Sequence, residues 1–159
     1  GGQTRADTVV NGLETLSGGA VFPASGSDWV MVHDAARPFV DPADIRKLRD
    51  EVLSAGHGAI LAMPMADTVK EASPDRRILA TRDRKSLWRA ATPQAFRLSE
   101  LLSALRRGTE GVTDESSAME RTGHPVSVVP GSTLNFKITT PDDALIAEAI
   151  AESRLRKHP

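Results

Sequence analysis

Cysteine is missing from this sequence altogether. Its absence excludes disulfides, cysteine-ligated zinc and a thiol nucleophile. Neither sign of charge dominates: 20 Lys and Arg against 21 Asp and Glu leave a net charge of −1. Nothing in that balance points to a nucleic-acid footprint. No apolar run approaches membrane-spanning length, so neither nucleic acid nor a membrane is expected as a partner. Histidines are few, and His33, His57, His124 and His158 show no metal-ligand spacing. A Ser/His/Asp order, internal repeats and low-complexity linkers are lacking too. What remains is ordinary for a folded domain: 159 residues, 40% hydrophobic and 26% charged, enough for one domain over 1–159 with a real core.

The chain is organised around Trp29–Val40. Trp29-Val30-Met31-Val32 is apolar without alternation, the pattern of a strand buried on both faces. His33-Asp34-Ala35-Ala36-Arg37-Pro38 then puts an imidazole, a carboxylate and a guanidinium just past it. In open α/β sheets, ligands bind beyond the carboxyl ends of strands. Arg37 offers a forked donor for phosphate. Asp34 could face a metal ion or a sugar hydroxyl. A polar strand-to-helix loop with a surface Arg–Asp pair would have the same composition.

In chain order, a Gly1-Gly2 turn feeds a helix capped by Thr4 and Asp7, with Ala6, Val9, Leu13 and Leu16 on one face. Asp41-Pro42 starts a second helix with Ile45, Leu48, Val52 and Leu53 as its stripe and Gly56 or Gly58 at its end. Ala59–Met63 is the next strand, which predicts a right-handed parallel crossover from the Trp29 strand. Short strands at Asp67–Glu71, Ile78–Thr81 and Leu87–Ala90 predict a basic β-arm over 66–91, closed by Thr92–Phe96 and too thin to fold alone. A helix carrying Leu98, Leu101, Leu102 and Leu105 follows, then a helix start at Thr113-Asp114-Glu115. Val126–Val129 and Asn135–Ile138 read as strands. Thr140-Pro141-Asp142-Asp143 opens a last helix with Leu145, Ile146, Ala149 and Ile150 as its core face, and Arg154–Pro159 as its frayed tail.

The chemistry-bearing groups are cations and hydroxyls: Arg37, Arg84 and Lys137 with Thr68, Thr92 and Thr113. Phosphoryl and nucleotidyl transfer need positioning and charge neutralisation, commonly with Mg²⁺, rather than covalent help. Such a set suits that demand and fits hydride or acyl transfer poorly. Lys137, between Phe136 and Ile138, either faces solvent or holds a phosphate at the sheet edge.

Several segments together carry a resemblance. They are Gly1-Gly2-x-x-Arg5-x-x-Thr8-Val9, Val32–Pro38, Asp67-Thr68-Val69-Lys70, Asp83-Arg84, Leu87–Gln94, Thr113-Asp114-Glu115 and Asn135–Thr139. Over Gly1 to about Glu148 the chain resembles the bacterial and plastid 2-C-methyl-D-erythritol 4-phosphate cytidylyltransferases of isoprenoid precursor synthesis. The resemblance implies a three-layer, Rossmann-like α/β nucleotidyltransferase sheet with a protruding β-arm. It also implies a Mg²⁺-dependent reaction of CTP with methylerythritol phosphate that releases pyrophosphate. Gly1, Gly2, Thr8, Asp34 and Ala35 would line the cytidine, with Asp34 toward the metal. Arg37, Thr68, Arg84, Thr92, Thr113 and Lys137 would surround the acceptor, and Arg84 and Lys137 would position its phosphate for attack. A homodimer is implied, the arm carrying Thr68 and Arg84 to the partner's site, in the bacterial cytoplasm or plastid stroma.

Family members carry a further N-terminal portion with a Gly-rich, basic phosphate loop and the sheet's opening strands. The expectation is therefore a chain drawn from a longer protein, inactive by itself, with an unpaired edge beside the Trp29 strand. Gln3 and Thr8 stand where many relatives have an acidic residue and serine. Alternatives are a cytidylyltransferase for another polyol phosphate, such as ribitol 5-phosphate, or a non-catalytic dimerisation and acceptor-binding half. Fusion to a cyclodiphosphate synthase also occurs among relatives.

Overall fold

Thr4 and Asp7 start the first helix by satisfying each other's backbone: each side chain accepts from the other residue's N–H, at 3.1 and 3.0 Å. Helix α1 (Arg5–Ser17) follows and stops at Gly18. The computed structural model describes residues 1–19, 24–108 and 110–157; His158 and the end of the expected tail lie outside them. Strand β1 (Trp29–Val32) leads through the Asp34 loop to helix α2 (Pro42–Ala55). Asp41 caps α2, proline occupies its first turn, and Gly56 ends it in the left-handed region at φ 74°. Strand β2 (Gly58–Pro64) comes next, buried along nearly its whole length.

The arm is a two-stranded sheet of its own, β3 (Val69–Ala72) against β4 (Ile78–Arg82), followed by a 3₁₀ turn at Arg84–Ser86. Beyond it the expectation needs correction. Thr92–Phe96 does not close the arm. It lies within the ten-residue strand β5 (Trp88–Arg97), so the arm merges into the main sheet. Only the first residues of β5 are exposed, the rest being core. Pro93, which cannot donate to a ladder, sits where the β2–β5 register jumps: Ile60 faces Gln94, but Ala62 faces Ala90.

Helices α3 (Leu98–Arg106) and α4 (Glu115–Arg121), strand β6 (Val126–Pro130) and helix α5 (Pro141–Lys157) complete the chain. The main sheet runs β1-β5-β2-β6. β5 is antiparallel to both β1 and β2, whereas β2 and β6 are parallel. β1 and β2 therefore point the same way, as expected, but β5 is inserted between them. β1 ends the sheet among the described residues, with Met31 exposed beside α1. That is the free edge anticipated beside the Trp29 strand, and it corrects the expectation of a strand buried on both faces: Trp29, Val30 and Val32 are only half-buried, because an edge strand has a neighbour on one side alone.

Alternation along β2 sorts the core into two layers. Ile60 joins Leu13, Phe96, Leu101, Leu105 and Met119 under α1, α3 and α4. Ala59, Leu61 and Met63 pack on the other face against Leu48 and Val52 of α2. Each fully buried leucine contributes about 2 kcal/mol. Helices on both faces of one sheet make the expected three-layer α/β architecture.

Three further expectations are corrected. Asn135–Ile138 is an irregular segment, not a strand; Ile138 N–H donates to the Ala36 carbonyl at 2.9 Å, a backbone tie to the Asp34 loop. Leu53 is exposed, because the Leu48–Val52 spacing already centres the buried face of α2. Leu145, Ile146 and Ala149 are exposed as well, and α5 turns Ala147 inward. Arg154 donates to the Phe39 carbonyl at 3.3 Å and lies over its ring at 5.2 Å, so α5 docks through a small residue and an arginine stem.

Candidate functional site

Asp34 follows β1, and its backbone is fixed first. Its N–H donates to Thr92 Oγ1 on β5 at 3.0 Å. The same hydroxyl meets His33 Nδ1 at 3.1 Å, and His33 Nε2 lies 3.0 Å from the Arg37 carbonyl. A carbonyl only accepts, so Nε2 carries the hydrogen. In the neutral ring that leaves Nδ1 to accept from the Thr92 hydroxyl.

Three cations converge on the Asp34 carboxylate. Arg5 Nε donates to Oδ1 at 3.0 Å; Arg37 Nε stands 3.5 Å and Lys137 Nζ 3.2 Å from Oδ2. Burial by itself raises the Asp34 pKa. Hydrogen bonds and charge from Arg5 and Lys137 outweigh it and hold the carboxyl below the usual carboxylate range. Arg37 is nearly buried and donates through Nη1 to the Asn135 carbonyl at 2.8 Å. Asn135 is fully buried and gives its own amide N–H to the Thr92 carbonyl at 2.8 Å. The irregular segment thereby delivers Lys137 beside the Asp34 loop. Its ammonium stays partly exposed.

Arg5 opens α1, where the helix dipole disfavours a cation. Two carboxylates compensate. Besides Asp34, it grips Glu115 through both terminal nitrogens, at 2.7 and 3.0 Å. Glu115 begins α4 and is 1% exposed. The bond to Glu115 is the foremost cause that raises the Arg5 pKa above its ordinary value. Nearby, Gln94 donates to Asp114 Oδ2 at 2.8 Å and accepts from Ser116 N–H at 2.9 Å, fixing the start of α4 to β5.

These groups enclose a cleft of about 260 Å³ lined by Arg5, Asp34, Arg37, Thr92, Thr113 and Lys137, among others. A second hollow of about 350 Å³ shares Arg5, Asp34 and Lys137 and adds Thr8 and Ala35. Gly2 N–H donates to Thr8 Oγ1 at 2.9 Å, which places the Gly1-Gly2 turn at its rim. Of the residues expected to meet the acceptor, Arg37, Thr92, Thr113 and Lys137 come together. Thr68 and Arg84 do not line this cleft: both are on the arm, where Arg84 donates to the Ala66 carbonyl. A third hollow of about 300 Å³ sets Arg89 alongside Arg37 and Lys137.

Sequence reasoning left Arg5, Glu115, Asn135 and Gln94 without a role. A readable signal existed for Arg5 alone, since a cation in a first helical turn asks for acids nearby. As for metal, both Asp34 oxygens already face cations, and the described residues contain no group of three or more His, Asp or Glu side chains placed to hold an ion. This donor set does not match the expectation that Asp34 holds the metal.

Comparison with known proteins places the chain in a family. The sequence profile of the 2-C-methyl-D-erythritol 4-phosphate cytidylyltransferase family (IspD) matches residues 1–153. The enzyme of that name from Nitrosomonas eutropha is 42% identical over 154 residues, covering 97% of this chain and 65% of the relative. A bifunctional enzyme IspD/IspF from Albidiferax ferrireducens is 47% identical, covering 97% of this chain and 36% of the relative. The crystal structure of a 4-diphosphocytidyl-2C-methyl-D-erythritol synthase superposes with a TM-score of 0.85 at 40% identity, over 95% of this chain and 68% of that one. The Francisella tularensis cytidylyltransferase gives 0.80 at 37%, over 93% and 68%. The chain thus spans less than two thirds of the length of the Nitrosomonas enzyme.

Proposed function

Because the chain belongs to the 2-C-methyl-D-erythritol 4-phosphate cytidylyltransferase family, we propose that the protein joins CTP to 2-C-methyl-D-erythritol 4-phosphate. The products are 4-diphosphocytidyl-2-C-methyl-D-erythritol and pyrophosphate. The observation that carries this reading is the convergence of Arg5, Arg37 and Lys137 on Asp34 at the mouth of one cleft. An oxygen of the acceptor phosphate attacks the α-phosphorus of CTP. One P–O bond forms, the bond to the bridging oxygen of the β-phosphate breaks, and pyrophosphate leaves with that electron pair. Both reactants are anions, so the first task is to bring like charges together. Arg37 and Lys137 offset that repulsion, and Asp34 holds both cations at the cleft until phosphate arrives. Thr92 and Thr113 border the acceptor; Gly1, Gly2, Thr8 and Ala35 border the nucleotide. Mg²⁺ would neutralise the nucleotide phosphates. The residues around Asp34 do not fit a protein-held ion, so placing the acceptor phosphate falls to Arg37 and Lys137, with Arg84 joining them from the arm.

The reading includes a homodimer whose arm supplies Thr68 and Arg84 to the partner's cleft. Supporting it, these residues lie outside their own chain's cleft, and Ile78 and Leu79 are exposed on a two-stranded sheet too thin to stand alone. No helix among the described residues is long and apolar enough to cross a membrane. The bacterial cytoplasm or plastid stroma is the compartment that goes with this reading.

The test is pyrophosphate release by the complete natural protein, given CTP and methylerythritol phosphate or ribitol 5-phosphate. Turnover with the first acceptor, at least a hundredfold faster than with the second, is expected. Preference for ribitol 5-phosphate would replace the substrate, and nucleotide binding without turnover on either would favour a purely binding role.

A further inference from the structure

The functional reading above gives parts to Asp34, Arg37 and Lys137 but none to the bridge beneath them. Arg5 spans two acids that are far apart in sequence. Its terminal nitrogens both go to Glu115, at 2.7 and 3.0 Å, and its Nε goes to Asp34 Oδ1 at 3.0 Å. A two-pronged grip on one carboxylate fixes the plane of a guanidinium. Once the plane is fixed, the direction of the Nε–H is fixed too. Asp34 then divides its oxygens: Oδ1 faces Arg5, while Oδ2 faces Arg37 at 3.5 Å and Lys137 at 3.2 Å.

Glu115 supplies the other half of the argument. It is 1% exposed, and among the described residues its carboxylate accepts hydrogen bonds from Arg5 alone. A buried carboxylate is costly unless its partner stays in place. Its position is itself well determined, because it begins a helix capped by Asp114 and tied to β5 through Gln94.

We propose that Arg5 is a positioning residue: anchored on buried Glu115, it sets the orientation of Asp34 and, through Asp34, the placement of Arg37 and Lys137. This rests on the functional reading above. Lysine at position 5 would keep the charge and lose the fork. A compact ammonium does not reproduce three directed N–H bonds to two carboxylates.

A merely structural part for Arg5, pinning α1 to α4, would also lower activity when removed. A double-mutant cycle separates the two. Arg5→Lys, Asp34→Asn and the double variant are made in the complete natural protein. The cycle is read both in kcat/KM and in the Kd for CTP. The expected result is that Arg5→Lys costs roughly tenfold in the wild-type background and less than threefold once Asp34 is asparagine. Equal losses in both backgrounds would overturn the proposal. Glu115→Gln cuts the fork to one arm and gives the same cycle with a smaller first loss, which covers the case where Arg5→Lys folds poorly. A protein that binds CTP but ignores methylerythritol phosphate would sink the substrate assignment, and the Kd cycle would still decide the coupling.

Discussion

Arg5→Met would leave the Glu115 carboxylate buried with no counter-charge. Breaking a buried pair from one side destabilises by about 3 kcal/mol, and thermal unfolding should register it as a drop of several degrees in Tm. Lys137→Ala is the contrasting case. Its side chain is 42% exposed, so stability should stay within about 0.5 kcal/mol. Its kcat/KM in the pyrophosphate assay should fall about a hundredfold, the scale for losing one charge-stabilising group. An unchanged rate would remove Lys137 from the proposed chemistry. At this scale the sequence was informative where a residue's neighbours along the chain carry the meaning. Asp34 and Arg37 follow a short apolar strand, and Thr113 precedes the Asp114 cap of a helix. It was silent where the meaning comes from across the fold. Glu115 looked like one more acid in a first helical turn. Its burial and its pairing with Arg5, 110 positions away, come from the packing of α4 against the sheet face that α1 also covers.

Among the elements, β2 is buried along nearly its whole length and has little room for added atoms. A Cβ on Gly58 would run into the Phe96 ring, which is fully buried. Gly58→Ala should therefore destabilise by about 2 kcal/mol through overpacking, measurable as a shifted denaturation midpoint. Helix α2 carries an acid-sensitive tie. Asp44 accepts from Lys47 Nζ at 2.9 Å and from Ser132 N–H at 2.7 Å, joining α2 to the segment that leads toward Lys137. Burial raises the Asp44 pKa, but these bonds outweigh it and the net shift is downward from 3.8. A lowered folded-state pKa means that the tie's contribution is complete above pH 3.8 and fades as pH falls through the folded value. Asp34 follows the same sign. Acid unfolding should thus set in below that pH, and Asp44→Asn should make the acid limb shallower. The helix starts were legible because caps and prolines act locally. The irregular Asn135–Ile138 segment and the outward face of α5 were not. An apolar residue at helical spacing shows that a face exists; the rest of the fold decides whether anything covers it.

For the molecule as a whole, charge on the arm is the sharpest probe. Ile78→Asp with Leu79→Asp places two carboxylates on exposed apolar positions of β3–β4. On the proposed assembly these should yield monomers by light scattering and suppress turnover, while the Tm of the isolated chain barely moves. The three-layer plan came with the family resemblance, while the strand–helix–strand spacing gave only the parallel direction of β1 and β2. The insertion of β5 between β1 and β2 could be read from neither, since a strand's neighbours depend on which edges remain free when it arrives. That insertion also bears on synthesis. Trp29 pairs with Arg97 and Val32 with Gln94, so β1 has no sheet partner among the described residues until the ribosome has moved well past position 97. Within these pairings, β1 and β2 are joined only through a segment made later than both, so their mutual placement is a long-range, late-forming contact.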